Sequence, residues 1–255
     1  MIKVFFLSIL FFLFVSISFA KLSENQIKLI KQNQYNFGNI YKYIKINDFI
    51  FRDDDFHCGL ARIYTTTGVG YINERGDIII APHFYAAGPF SEGLAYAMKD
   101  EGYGFINNKG EWVIKPKFNI VDSFSNGVAG ASEDQRNWGF IDKKGDWVIK
   151  PQFSSVMIFL EDLAPAANNQ NLWGYINKKG EWIIEPKFST ACPFNEGTAP
   201  VRVNKRWGFI NTKGEFIIRP QYIYSPGFFF NGKAKIRTNE DKTVYIDKTG
   251  KIISE

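Results

Sequence analysis

Short apolar runs recur along most of this chain with a period of about 35 residues. One run is an aromatic residue, a Gly and two further apolar residues, as in Trp173-Gly174-Tyr175-Ile176. A Lys-Gly turn follows, and then an alternating run that ends at Pro-x-Phe. Because a side-chain period of two is typical of β-strands, the pattern predicts several short strands in every period.

Three sequence markers keep this period in phase. The turn glycines are separated by 34, 35, 35, 34 and 36 residues: Gly76, Gly110, Gly145, Gly180, Gly214 and Gly250. Five prolines recur with the same period: Pro82, Pro116, Pro151, Pro186 and Pro220. The third marker is a Phe five residues before an Ala, first at Phe56 and Ala61. Markers in phase predict six tandem repeats from about Phe56 to Ile253.

Each repeat is predicted to contain three strands. In the second repeat these are Leu94 to Met98, Tyr103 to Ile106 and Glu111 to Ile114. A turn that closes on Gly110 joins the last two strands, and Pro116 is expected to end the third because proline donates no ladder hydrogen bond. The Gly in the middle of the aromatic-Gly strand predicts a close neighbour, for which we expect an aromatic ring of the adjacent repeat.

The expected fold is therefore all-β, with six three-stranded units arranged as a propeller-like toroid. An open β-solenoid is the alternative; a ring has the advantage of removing exposed sheet edges. Residues 21–55 precede the repeats and are expected to form an N-terminal capping segment, since terminal repeats are usually atypical. Ser23 and Gln26 form a capping box that predicts a short helix over Glu24 to Gln34.

The first twenty residues have the layout of a secretory signal peptide. Lys3 precedes an uncharged apolar run from Val4 to Ala20, with small residues at Ser18 and Ala20. An uncleaved anchor is the alternative, because about 17 to 25 apolar residues can span a membrane. We expect cleavage after Ala20, export to the periplasm or the extracellular space of a bacterium, and no stable membrane span afterwards.

Net charge and cysteine content add little to this picture. The formal net charge of +5 is too mild to indicate nucleic-acid binding, so no nucleic-acid partner is expected. Cys58 and Cys192 lie about four repeats apart, which is too far for a disulfide in most repeat arrangements. Two separate buried thiols are the expectation.

The combined motifs resemble those of bacterial WG-repeat proteins. They are Trp-Gly-Phe/Tyr-Ile-Asp/Asn, Lys-Gly-Glu-Trp-Val/Ile-Ile, Pro-x-Phe and Phe-x-x-Gly-x-Ala, and they cover most of residues 56–255. The resemblance implies a β-rich repeat domain, often exported, and supplies no catalytic residue. The departures are Val69-Gly70 in the first repeat and Val244-Tyr245 in the last.

No catalytic, metal-binding or cofactor-binding constellation is recognisable in the sequence. His57 and Cys58 are strand neighbours that point to opposite faces, which is unsuitable for chelating one metal ion. His83 occupies a position that later repeats fill with Lys or Gln. The carboxylates that follow the first five turn glycines, such as Glu111, lie beside a cation such as Lys109 and predict a self-neutralising edge. We therefore expect no enzyme, no metal and no cofactor.

The aromatic columns and the variable loops are the remaining candidates for a binding site. Rings recurring at one phase usually form the inter-repeat core, although exposed rings can stack on sugars. The loop before each aromatic-Gly strand, here called the first turn, varies between repeats: Lys99 to Gly102, Glu133 to Asn137, Asn168 to Leu172, Asn204 to Arg206 and Asn239 to Lys242. The candidate ligand contacts are Trp112, Trp147, Trp182, Arg136, Asn169, Lys205 and Arg206.

Together these features predict an exported, non-enzymatic scaffold that binds protein through its first turns. The alternative is a glycan or peptidoglycan module that uses an exposed Trp column. A glycosidase built on a propeller would require a pair of carboxylates about 5 to 9.5 Å apart in a pocket.

Overall fold

The computed structural model describes residues 51–52, 55–238 and 241–254. These residues belong to one compact unit, Tyr43–Glu255. The predicted signal segment, the helix over 24–34 and most of the capping segment lie outside the described residues. The described residues form six antiparallel four-stranded sheets, and within each sheet the strand order follows the chain. They include no helix long and apolar enough to cross a membrane.

The strands are as follows. Sheet 1 comprises β1 (Phe51–Arg52), β2 (Leu60–Thr65), β3 (Gly68–Asn73) and β4 (Ile78–Phe84). Sheet 2 comprises β5 (Ala86–Ala87), β6 (Ala95–Lys99), β7 (Gly102–Ile106) and β8 (Trp112–Phe118). Sheet 3 comprises β9 (Ile120–Val121), β10 (Ala129–Ser132), β11 (Trp138–Ile141) and β12 (Trp147–Phe153). Sheet 4 comprises β13 (Ser155–Val156), β14 (Ala164–Ala167), β15 (Trp173–Ile176) and β16 (Trp182–Phe188). Sheet 5 comprises β17 (Thr190–Ala191), β18 (Thr198–Val203), β19 (Arg206–Asn211) and β20 (Phe216–Tyr222). Sheet 6 comprises β21 (Phe229–Phe230), β22 (Lys233–Arg237), β23 (Thr243–Ile246) and β24 (Ile252–Ser254).

The prediction of three strands per repeat is wrong, because a fourth, two-residue strand precedes the other three. In sheet 2 this strand is β5, in which Ala87 pairs with Ala97 of β6. A two-residue strand is too short to leave an alternating pattern in the sequence. Proline also does not end the last strand as expected, since β8 continues through Pro116 to Phe118. This strand lies at the sheet edge, where a missing N–H costs no ladder hydrogen bond.

The hydrophobic core lies between consecutive sheets. The ring at the third position of each aromatic-Gly strand packs on the Phe that precedes the second strand of the next sheet. The ring-centroid distances are 4.6 to 4.9 Å for five such pairs: Tyr71–Phe90, Phe105–Phe124, Phe140–Phe159, Tyr175–Phe194 and Phe209–Phe229. Edge-to-face and tilted ring pairs of this kind add to the stabilisation from burial alone. In sheet 6 the equivalent ring, Tyr245, is 38% exposed.

The Gly of the aromatic-Gly pair is explained by a close backbone approach within its own sheet. A Cβ atom on Gly174 would lie 2.3 Å from the carbonyl oxygen of Ile184 and 2.8 Å from the nitrogen of Pro186. Both belong to β16, where the register shifts opposite β15. The expectation that a ring of the neighbouring repeat fills this space is therefore wrong. A β-bulge presses the edge strand against the glycine, and any side chain there would collide with the backbone.

Candidate functional site

The first turns all lie at one end of their sheets, because each joins the second strand to the third. The second turns, which contain the Lys-Gly pairs, join the third strand to the fourth and lie at the opposite end. Of the predicted turn contacts, Arg136, Asn169, Lys205 and Arg206 are all exposed. In the first turn of repeat 6, residues 239 and 240 lie outside the described residues. The sheet topology thus gathers the variable residues of the chain at a common end of consecutive sheets.

Side-chain to backbone hydrogen bonds fix the conformation of the first turns in repeats 3 and 4. The Asp134 carboxylate accepts backbone N–H groups from Arg136 at 2.8 Å and Asn137 at 2.7 Å. The N–H of Asn137 is the largest of several hydrogen-bonding influences that hold the pKa of Asp134 well below its usual range. In the next repeat, the Asn168 amide oxygen accepts the N–H of Leu172 at 3.1 Å. The exposed side chains are therefore presented from turns of defined shape.

The predicted aromatic contacts have a structural role between repeats. Trp112, Trp147 and Trp182 are half-buried, and each meets a Phe of the preceding repeat edge-to-face. The ring-centroid distances are 5.5 Å for Phe84–Trp112, 5.8 Å for Phe118–Trp147 and 5.4 Å for Phe153–Trp182. The other column is also packed, with Trp207 only 8% exposed. All six tryptophans therefore contribute to the scaffold.

Two grooves occur at the same repeat position, between the first turn and the edge strand. The larger, in repeat 5, has a volume of about 490 Å³ and is lined by Val203, Asn204, Arg206, Phe216, Arg219 and Pro220. The smaller, in repeat 2, has a volume of about 190 Å³ and is lined by Lys99, Asp100, Glu101, Trp112 and Pro116. Ligand sites typically measure about 300 to 1,000 Å³, so only the repeat 5 groove reaches this size.

The structure brings only some of the predicted contacts together. Arg206 lines the repeat 5 groove with Lys205 next to it in the chain, and Trp112 lines the repeat 2 groove. Arg136, Asn169, Trp147 and Trp182 belong to other repeats and line neither groove. Phe216 and Arg219 also line the repeat 5 groove and are not among the contacts predicted from the sequence. The signal for Phe216 was its own departure from the column, because Phe replaces Trp in that repeat alone among repeats 2 to 5.

Most carboxylates after the turn glycines accept hydrogen bonds from side chains within their own turns. The Asn107 side-chain amide donates to Glu111 at 2.8 Å, and the same bond recurs from Asn177 to Glu181 at 2.8 Å. An ion pair with the preceding cation is formed in repeat 1, where Arg75 lies 3.4 Å from Asp77 at an exposed position. Among the described residues, no group of three His, Cys, Asp or Glu side chains is arranged to hold a metal ion.

Comparison with known families matches five segments of this chain to the WG containing repeat: residues 70–102, 103–136, 138–171, 173–207 and 207–240. These segments cover well over half of the sequence. The chain belongs to the WG-repeat family. No curated protein matches it.

BamB and Hsv2 are two of the solved structures that share the fold of this WG-repeat protein. BamB from Moraxella catarrhalis aligns with a TM-score of 0.55 at 13% identity, covering 81% of this chain and 74% of BamB. Hsv2 from Kluyvelomyces marxianus aligns with a TM-score of 0.51 at 10% identity, covering 74% of this chain and 73% of Hsv2. Both are propeller-like neighbours, and at these identities the likeness concerns the fold alone.

The WG repeat and the sheet are offset from one another. The segment 103–136 contains β7 and β8 of sheet 2 together with β9 and β10 of sheet 3. Each sequence repeat therefore links two consecutive sheets, with its first half completing one sheet and its second half starting the next. Because of this offset, ring pairs that join consecutive sheets, such as Phe105–Phe124 and Tyr175–Phe194, lie within single WG segments.

Proposed function

We propose that this WG-repeat protein is a scaffold that binds another protein through the surface formed by its first turns. The observation that carries the proposal is the contrast between the two ends of the sheets. In the second turns an Asn or Asp side-chain oxygen accepts backbone N–H groups in the same geometry, whereas the first turns differ in length, charge and amide content. Exposed loops that vary on a rigid repeat framework are the usual place for specificity.

The test exchanges turns between repeats without altering the framework. Residues 133–137 are replaced by the sequence of residues 168–172, which is equal in length and is also closed by a side-chain oxygen that accepts backbone N–H groups. We expect a protein captured by the wild type from envelope or extracellular fractions to be lost, with the thermal unfolding temperature unchanged. The matched control exchanges the second turns, 142–145 for 177–180, at the opposite end. The proposal is contradicted if the partner is still captured after this exchange and after exchanges of the first turns in the other repeats.

Export from the cell is a further part of the proposed function of this non-enzymatic scaffold. The apolar run from Val4 to Ala20 supports delivery to the periplasm or the extracellular space, with cleavage after Ala20. The mature N-terminus, read by Edman sequencing of the exported protein, should begin at Lys21. An N-terminus at Met1 in a membrane fraction would support the anchored alternative instead.

Glycan binding is the weaker candidate. A sugar-stacking column requires exposed rings, whereas the predicted contacts Trp112, Trp147 and Trp182 are half-buried against phenylalanines. Tryptophan fluorescence tests it directly, because stacking of cell-wall polysaccharides on these rings would shift or quench the emission. No change across a panel of such polysaccharides would remove this candidate.

We further propose that the six sheets form a propeller-like ring, with an open array as the alternative. The likeness to BamB and Hsv2 supports the ring, whereas the 38% exposure of Tyr245 on the last sheet favours an open end. Small-angle scattering distinguishes the two, since an open array has a markedly larger maximum dimension than a ring of the same sheets.

A further inference from the structure

We infer that the repeat 5 groove binds an acidic peptide segment in which a carboxylate lies next to an apolar side chain. The inference rests on the proposed protein-binding function and assigns one of its contact sites. Three features carry it, namely the size of the groove, its charge and the exposed ring at its edge.

The groove is large because the ring that closes it is small. Phe216 occupies the column position that Trp112, Trp147 and Trp182 fill in repeats 2 to 4. Its centroid lies 6.4 Å from that of Phe188, compared with 5.4 to 5.8 Å for the three Trp–Phe pairs. Phe216 is also 41% exposed, whereas the tryptophans are half-buried. Loss of the indole therefore leaves an open apolar surface beside Pro220.

The groove carries two arginines and, among its described lining residues, no acidic side chain. Arg206 precedes the aromatic-Gly pair, a position that repeats 1 to 4 fill with uncharged residues: Gly68, Gly102, Asn137 and Leu172. Arg219 precedes the proline, where repeats 2 and 3 have Lys115 and Lys150 and repeat 4 has Glu185. Repeat 5 alone among repeats 1 to 5 combines two guanidinium groups at this site. The repeat 2 groove instead contains Asp100 and Glu101 beside Lys99.

Arg206 is held in position over the edge strand. One of its terminal nitrogens donates to the carbonyl oxygen of Gln221 in β20 at 3.0 Å. A guanidinium has five N–H donors, so this bond fixes the group while further donors can face a ligand. Glu215, the acidic neighbour of Phe216 in the chain, accepts a hydrogen bond from Asn211 at 2.8 Å within the second turn.

Guanidinium pairs and an exposed ring recognise a particular ligand chemistry. Arginine binds carboxylates through paired N–H donors, and the faces of Phe216 and Pro220 offer apolar contact at the same place. A peptide supplies both groups on neighbouring residues. An acidic polysaccharide or inorganic phosphate supplies the charge without the apolar side chain, which makes those ligands the alternative outcomes of the test.

The test measures fluorescence anisotropy of a fluorescein-labelled pentapeptide of alternating glutamate and leucine, titrated with the full chain. The informative variant is Phe216→Trp, which restores the ring of repeats 2 to 4 and fills the groove while keeping the packing on Phe188. The second variant, Arg206→Gln with Arg219→Gln, removes the charge. We expect each to weaken binding at least about tenfold. The wild-type affinity should also fall as salt is added, because charge attraction contributes to it.

Matched controls come from other repeats. Trp182→Phe makes the converse ring change in repeat 4, and Arg75→Gln removes an exposed guanidinium from the second turn of repeat 1; neither should change peptide affinity. The inference is overturned if the wild type fails to bind the peptide, or if Phe216→Trp binds it equally well. It is also overturned if Phe216→Trp weakens the binding of polygalacturonate or phosphate as much as it weakens the binding of the peptide. These ligands have no apolar side chain, so the groove would then recognise charge alone.

The outcome separates this inference from the proposed function. If turn exchange at 133–137 abolishes partner capture but the peptide does not bind, the scaffold function stands and the groove assignment fails. If the peptide binds the groove but no turn exchange affects capture, the groove is a real site and the first-turn surface is not the scaffold's binding face.

Discussion

The Glu196 carboxylate accepts the backbone N–H of Gly232 at 2.9 Å, across 36 residues of sequence and from one sheet to the next. The N–H of Asn231 points at the same carboxylate at 2.5 Å, and Lys248 lies 3.7 Å from it. The arrangement recurs from Glu92 to Gly127 and from Glu161 to Gly197: the N–O distances there are 3.1 Å and 2.9 Å. Charge-assisted bonds of this kind are stronger than neutral ones, so they connect the repeats outside their apolar core.

Removing the charge at Glu196 should loosen the connection to repeat 6. The bond from Gly232, followed by the bond from Asn231 and the charge of Lys248, lowers the pKa of Glu196. The ionised form is therefore favoured by folding, and its contribution is lost as the pH falls through that lowered pKa. In Glu196→Gln we expect the Gly232 amide to exchange with deuterium about tenfold faster.

Glu215→Gln is the control for this exchange experiment, because the Glu215 carboxylate contacts only its own turn in the described hydrogen bonds. It should leave the Gly232 amide protected. Unchanged protection in Glu196→Gln would show that the carboxylate does not hold the two sheets together.

Gly174→Ala should be strongly destabilising. Its Cβ atom would lie 2.3 Å from the Ile184 carbonyl oxygen, which is backbone and cannot move aside. We expect a loss of about 3 kcal/mol in the free energy of unfolding, measured by urea denaturation. Gly227→Ala is the matched control, since its Cβ atom would meet its nearest neighbour, the Lys235 carbonyl oxygen, at an ordinary 3.4 Å. Equal losses in the two variants would contradict the close-approach explanation.

Asp122→Asn should stabilise the protein at neutral pH. Burial raises the pKa of Asp122 to about 6, and the side chain lies against Gly130, where a Cβ atom would be 3.0 Å from its carboxylate oxygen. The folded state therefore binds the proton more tightly than the unfolded state, and wild-type stability should fall as the pH rises from about 4 to 6. Above that window the variant should be more stable by about 2 kcal/mol.

The pH dependence is measured by thermal or urea unfolding of both proteins between pH 4 and 8. Asp134→Asn, at an exposed turn carboxylate whose pKa is lowered instead, should differ from the wild type by a nearly constant amount over this range, because that carboxylate is ionised in the folded and unfolded states above about pH 5. If the difference in stability between wild type and Asp122→Asn does not change over this range, the pKa of Asp122 is not raised by burial.

The two thiols should react at very different rates. Both cysteines are free; Cys58 is exposed, contrary to the expectation of two buried thiols, and Cys192 is half-buried. Burial raises the pKa of Cys192 to about 11, which leaves little thiolate at pH 8. With Ellman's reagent we expect one rapid equivalent and one slower by on the order of a hundredfold. Cys58→Ser should remove the rapid phase; its persistence would assign it to Cys192.

The errors of the sequence-based prediction have specific physical causes. A strand such as Ala86–Ala87 has too few residues for a period of two to be visible, so each sheet was assigned three strands. The reason for Gly174 was misassigned because the sequence does not reveal where the register shifts between β15 and β16. The exchange of Trp for Phe216 is visible in the sequence, but the longer ring separation from Phe188 and the groove beside it depend on how the two sheets pack.

The sequence by itself determined the repeat number, the all-β class and the family, because these depend on periodicity and on local turn chemistry. It also located the variable first turns. Only the tertiary structure decided that the Trp column packs on the preceding repeat, that the glycines face their own edge strand, and that Arg206, Phe216 and Arg219 share one groove. These relationships join residues of different strands and repeats, and their distances are set by strand register and sheet packing rather than by spacing along the chain.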